Sequence, residues 1–211
     1  MSTRVWFWDR MAERYARMPI LDQASYDIKL EKTRACFTPD SRVLEFGCGT
    51  GSTAIAHAPH VADILAIDTA GKMLAIARER AATAGVDNVR FEQGTLMDID
   101  SPDASWDAVM GMSILHLLPD RADTIARVFK LLKPGGVFIT STICLGDASL
   151  KLRLLAPLIR CLPMLPDVRA LRFDDLQREM AAAGFTIEET WRPAPDKAGF
   201  IVARKPPRLE R

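Results

Sequence analysis

Three glycines at alternate positions, Gly47, Gly49 and Gly51, follow the run Val43-Leu44-Glu45-Phe46 in the stretch VLEFGCGTG. Glycine accepts positive φ and lets backbone approach a ligand with no Cβ in the way, so this spacing after a strand-like run suits a loop wrapped against something bulky. Asp68 closes the next apolar run, ADILAID, 21 positions after Gly47. A carboxylate at such a strand end can accept two hydrogen bonds from the vicinal hydroxyls of a ribose. Taken alone the glycines need be no more than a tight turn; with Asp68 at this distance they point to an adenosine-containing ligand.

Which ligand of that kind is open at this level. The dinucleotide fingerprint G-x-G-x-x-G/A nearly matches: counted from Gly47 its third position is Ser52, and counted from Gly49 it is satisfied by Ala54 but starts beyond the strand end. A second nucleotide-binding half is missing, so an NAD-type oxidoreductase is the second reading. A noncatalytic protein that binds an adenosine ligand, or meets a partner chain, is a third.

The elements that must carry these residues follow from periodicity. Between residues 41 and 142 short apolar runs (RVLEF, ADILAID, NVRFEQ, WDAVMGM, GVFITSTI) alternate with helix-length amphipathic segments (GSTAIAHAP, GKMLAIARERAATAG, RADTIARVFKLLK). That is the pattern of a parallel sheet covered by helices. Met73, Leu74, Ala77 and Ala81 form one stripe of the second helix, which Gly85 ends. KPGG, residues 133–136, stops the third helix and turns the chain into the next strand.

Outside the alternation, residues 4–37 read as two helices parted by Pro19, residues 148–172 as an apolar insert or cap, and residues 173–205 as a helix and a strand pair, ahead of a loose tail, PPRLER. All of this suits one domain over residues 1–211. With 28 basic and 27 acidic residues, net charge +1, no global electrostatic attraction to nucleic acid is expected. Cys36, Cys48, Cys144 and Cys161 are scattered without metal-ligand spacing, so no metal site is expected and the thiols read as reduced, with a cytoplasmic address. The charged N-terminus lacks a secretory core, and no run reaches the roughly 20 apolar residues of a membrane span.

VLEFGCGTG, AIDTAGKML, FEQGTLMDI, WDAVMGMSILHLL and LLKPGGVFITS, in this order, resemble the successive motifs of class I S-adenosylmethionine-dependent methyltransferases, especially the ubiquinone/menaquinone-methyltransferase-like branch. The resemblance implies an α/β, Rossmann-like, seven-stranded, mainly parallel sheet with helices on both faces and an antiparallel last strand. It implies S-adenosyl-L-methionine as cofactor, with Glu45, Gly47, Cys48, Gly49 and Gly51 around the methionine part and Asp68 on the ribose. Thr69 and Met73 would flank the adenine, and Gly111 and Met112 would close the floor. Where the family often has an acidic residue for the adenine amino group, this chain has Thr95, so that contact would be lost, shifted to backbone near Leu96, or made through water, with Asp98 as the fallback.

Methyl transfer from a sulfonium is an in-line displacement in which the protein mainly aligns and excludes water. A general base helps only an acceptor that must lose a proton, and His116, beyond the fourth strand run, is the candidate. Tyr15, with Trp6 and Trp8, lies in the leading helix, which the resemblance makes a lid; aromatic faces there could attract the sulfonium. His57 and His60 are read as facing away. The expected acceptor is a small, hydrophobic molecule: a phenol, quinone-like ring, thiol or lipid-like compound. The leucine-rich insert has four readings: the domain's own core, a wall of the acceptor pocket, the contact of a homodimer in place of a monomer, or a membrane-surface helix carrying Lys151, Arg153 and Arg160.

Overall fold

In a computed structural model of the chain, residues 3–147 and 171–208 are described. The apolar runs become β1 (Arg42–Phe46), β2 (Asp63–Asp68), β3 (Val89–Gln93), β4 (Trp106–Met112) and β5 (Leu132–Thr142), and the C-terminal pair becomes β6 (Thr186–Trp191) and β7 (Gly199–Arg204). They form one seven-stranded sheet in the order β3-β2-β1-β4-β5-β7-β6. Strands β1 to β5 pair in parallel, while β7 runs antiparallel between β5 and β6. The expected fold class and the reversed last strand are therefore as the motifs implied.

The helices are α1 (Thr3–Arg17), α2 (Gln23–Arg34), α3 (Ser52–His57), α4 (Gly71–Thr83), α5 (Arg121–Leu131) and α6 (Phe173–Ala182). Alternation along β1 sorts them. Leu44 and Phe46 point into the core shared with α5 and α6, where Ile125, Val128, Leu176 and Met180 lie. Val43 points the other way, toward Ala54 of α3 and Leu74 and Ala77 of α4. Glu45 has Val43's parity and is 1% exposed, so a carboxyl group is sunk on the α3 side of the sheet. Each large apolar side chain buried this way contributes about 1.5–3 kcal/mol relative to exposure.

Helix α4 ends as its sequence foretold: Gly85 takes φ +66° and Val86 N–H returns to the Ala81 carbonyl at 2.9 Å. KPGG differs from the expected plain turn. Helix α5 passes straight into β5, and KPGG forms a bulge inside it, since Trp106 pairs with Leu132 but Ala108 with Val137. Gly135 at φ +81° lets that bulge meet Lys205, which accepts its N–H at 2.9 Å.

The chain steps outward from β1 through β2 to β3, then returns to lay β4 on the other side of β1. Such a reversal opens a crevice at the carboxyl ends of β1 and β4, where ligands of open α/β sheets sit. The readings of the insert at residues 148–170, Cys161 included, lie outside the described residues; Leu171, at its end, is buried in the core. Among the described residues no helix is long and apolar enough to cross a membrane.

Candidate cofactor site and acceptor cleft

All three loop glycines adopt positive φ, 67°, 53° and 75° for Gly47, Gly49 and Gly51, but for different reasons. A Cβ on Gly47 would stand 2.6 Å from Ile114 Cγ1, and one on Gly51 2.9 Å from both Ala77 Cβ and Phe91 Cε1. These two glycines let neighbouring elements close up. Gly49 has nothing within 4 Å of its Cβ position, so it borders open cleft. Gly111 likewise serves packing, against Phe46 Cζ at 2.5 Å.

Asp68 ties the loop down: its Oδ2 accepts the Gly49 N–H at 2.8 Å and its Oδ1 the Ala70 N–H at 2.9 Å. Burial raises its pKa, and the Ala70, Gly49 and Thr69 amides pull it part of the way back. A cavity of about 320 Å³ opens beside it, walled by Asp68, Thr69 and Met73 on one side and Gly94, Thr95 and Leu96 on another. Met112 and Ile114 complete the β4 side, and Trp8 and Tyr15 of α1 cover it. The cover is anchored: Asp9 accepts the Lys72 N–H at 2.9 Å, and Arg80 donates to the Ala16 carbonyl at 2.6 Å and to Thr50 Oγ1 at 2.9 Å. Asp98, the fallback for an adenine contact, is engaged by its own loop, accepting Thr95 N–H at 2.9 Å and Thr95 Oγ1–H at 2.7 Å.

A second cavity, about 700 Å³, continues past the loop and shares Tyr15, Gly47, Gly49, Met112 and Ser113 with the first. Glu45, Cys48, Tyr26, Lys29 and Thr33 line it, and the exposed apolar side chains Met18, Ile20, Leu21 and Ile143 line it together with Asp22, Arg80, Asp196 and Lys197. Glu45 Oε2 is buried with no hydrogen-bond partner among the described residues. Desolvation, and then the Asp68 charge, push the Glu45 carboxyl up to about 8. Ser113, at the meeting of the two cavities, holds φ +57°, uncommon for a residue with a side chain, and donates its N–H to the Ser141 carbonyl at 2.7 Å.

The structure thus brings Gly47, Gly49, Asp68, Thr69, Met73, Thr95, Leu96, Met112 and Tyr15 to the first cavity, and Glu45 and Cys48 to the second. Gly51 and Gly111 sit behind them as packing positions. Trp6 is 49% exposed on the outer face of α1 and lines neither cavity. His116 also lines neither: it is 5% exposed, beneath the β4 exit, its Nδ1 without a partner among the described residues. Its neighbours Ile114, Leu117 and Leu118 line the first cavity, while His116 itself is buried behind them. Residues that the sequence reading missed are Tyr26, Lys29 and Thr33, spaced i, i+3, i+7 on α2. That spacing was the available signal for one shared face.

The buried ionisable groups make the free protein's stability depend on pH. Desolvation lowers both His57 and His116 to about 4, so between about 4 and 6.5 the unfolded chain binds more protons and stability falls as pH drops, by about 3 kcal/mol per histidine at the limit. Glu45 works in the opposite sense: its raised pKa means the folded state holds a proton up to about pH 8, and stability falls as pH rises from about 4.5. The urea midpoint should therefore peak near pH ~6.5, and Glu45→Gln should flatten its alkaline side. A midpoint that climbs steadily from pH ~5 to ~8 would contradict these burials.

The site chemistry discriminates between the ligands considered. The part-buried Asp68 carboxylate and the buried Glu45 carboxyl, which has an orphaned oxygen, fit a ligand bearing hydroxyl groups, and the Asp68 charge opposes a pyrophosphate. The Gly49 N–H, which would face a phosphate in a dinucleotide loop, is instead given to Asp68. Fold and cleft together fit the sheet order and the adenosine-type ligand that the motifs implied.

Residues 43–136 match the family described as "Methyltransferase domain". The chain is 35% identical over 108 residues to the "Uncharacterized methyltransferase YcgJ" of Bacillus subtilis, covering 51% of this chain and 42% of that protein. The crystal structure of YcgJ superposes with a TM-score of 0.65 at 26% identity, covering 78% of this chain and 72% of that one. A Mycolicibacterium smegmatis protein named "Probable S-adenosylmethionine-dependent methyltransferase" is 31% identical over 153 residues, 70% of this chain and 53% of its own length. The "Ubiquinone biosynthesis O-methyltransferase" of Paracidovorax citrulli is 38% identical over 104 residues, 48% of this chain and 43% of its own. The chain spans about half the length of the curated relatives it matches, or less.

Proposed function

We propose that this protein transfers the methyl group of S-adenosylmethionine to a small, largely apolar organic acceptor. The observation that carries the reading is the junction of the two cavities at Tyr15, Gly47, Gly49, Met112 and Ser113: a cleft suited to adenosine opens into a larger one whose lining includes the exposed apolar side chains Met18, Ile20, Leu21 and Ile143. Asp68 would hold the ribose hydroxyls, Thr69 and Met73 would border the adenine, and Glu45 would face the cationic methionine portion. When bound, the cofactor supplies an activated methyl on sulfur. The chain's own part is to orient the two reactants end to end across the junction, to cover them with the Trp8 and Tyr15 rings, and to exclude water. Desolvation of the hydroxyl and the Asp68 charge hold the Tyr15 phenol above its ordinary pKa, so it stays a neutral cover near pH 7, with 46% of the residue still exposed in the free chain.

The relatives' names include a ubiquinone O-methyltransferase, which supports an aromatic or quinone-like acceptor. No proton-abstracting role is assigned to His116, whose burial keeps it from the walls. Calorimetry with S-adenosylmethionine, S-adenosylhomocysteine and NAD tests the cofactor: the first two should bind and NAD should not. Screening phenols, quinols, thiols and lipid-like acids for S-adenosylhomocysteine formation tests the acceptor. Tight binding of NAD alone would sink the first part, and methylation of only a protein or RNA would sink the second.

A further inference from the structure

Resting on the reading above, the geometry points to an anion-binding point in the acceptor cleft: Lys29, held by Ser141, receives an anionic oxygen of the acceptor, a carboxylate or phenolate. The acceptor would then be amphiphilic, its apolar body against Met18, Ile20 and Leu21 and its acid group on α2.

Lys29 lies on the face of α2 turned into the cleft. Its Nζ donates to Ser141 Oγ at 2.9 Å and stands 5.9 Å from the centre of the Trp191 ring. Three donors are available on an ammonium, so one hydroxyl and one aromatic face leave it short of a counter-charge. Among the described residues it makes no ion pair. The nearest carboxylate acting on it, Asp22, caps α2 by accepting the Ser25 N–H at 3.1 Å and pairs with Lys197 at 3.7 Å. Glu45, on the same cleft, is held largely protonated at neutral pH by its burial. Desolvation lowers the Lys29 pKa, as befits a cation without a matched partner.

An oxygen anion accepting from the Lys29 ammonium would supply the counter-charge that it lacks. Ser141 pairs with Met112 across the sheet, and its carbonyl holds Ser113, so this point adjoins the junction where the methyl group would be delivered.

The cofactor's own carboxylate has the same chemistry, and the test separates the two. The full chain, saturated with S-adenosylhomocysteine, would be titrated with benzoate and hexanoate and with their neutral amides. The carboxylates are expected to bind at least about tenfold more tightly than the amides, and Lys29→Met should erase that difference while Lys29→Arg keeps most of it. S-adenosylhomocysteine affinity should stay within about twofold in both variants, which also shows that they are folded. Carboxylates that bind no better than amides, or not at all, would overturn the proposal. A loss of about tenfold or more in S-adenosylhomocysteine affinity in Lys29→Met would overturn it too, assigning Lys29 to the cofactor. If the unaltered protein fails to bind S-adenosylhomocysteine, it is the methyltransferase reading that falls.

Discussion

Asp68→Ala is expected to lower affinity for S-adenosylhomocysteine by about a hundredfold or more, because one carboxylate shapes the glycine loop and, in the proposed pose, would also face the ribose. Its two oxygens already accept the Gly49 and Ala70 amides, at 2.8 and 2.9 Å. Each oxygen has a second acceptor site left for a ligand hydroxyl. Truncation would remove the ribose contacts and leave two loop amides unpaired together, each loss worth about 1–3 kcal/mol. Asp98→Ala is the control. That carboxylate accepts only from Thr95 and lines neither cavity, so its loss should change affinity about twofold at most. Calorimetry on the two variants decides the matter, and equal, small effects would mean that the ribose is bound elsewhere.

The reach of the sequence can be argued from the same residues. β1, β2 and α4 were legible because burial on a sheet and on one helical stripe leaves a period, and Gly85 and the loop glycines interrupt it where φ must turn positive. Asp68 was legible because a strand end fixes its place to within a residue. What escaped depends on contacts between elements distant in the chain. Nothing in GCGTG says that Gly47 and Gly51 yield space to Ile114 and Phe91 while Gly49 borders open cleft. Lys29 meets Ser141 across 112 positions, so its role is invisible to any local pattern. His116 looked like a base because a histidine beyond β4 lies at the right end of the sheet. In the fold it is buried beside Leu115, while Leu117 lines the cavity. The KPGG bulge arises from pairing with Lys205, equally remote.

Gly51→Ala and Gly49→Ala, only two positions apart, are expected to fail in opposite ways. At Gly51 the methyl group would lie 2.9 Å from Ala77 Cβ and from Phe91 Cε1, on a backbone at φ +75°. Left-handed strain of about 1–2 kcal/mol adds to overpacking of about 1–3 kcal/mol, so this variant should lose roughly 2–5 kcal/mol of stability. At Gly49 only the strain applies, about 1–2 kcal/mol, since nothing stands within 4 Å of the new atom. The methyl group would instead occupy the space where the cavities meet, and the loop could no longer approach the cofactor. Affinity for S-adenosylhomocysteine should fall about tenfold or more in Gly49→Ala while the fold persists. Urea denaturation and calorimetry on both variants measure the two quantities separately. A Gly49→Ala protein that binds S-adenosylhomocysteine as tightly as the unaltered chain would show that the cofactor does not run across this loop, whatever the stability of its neighbour.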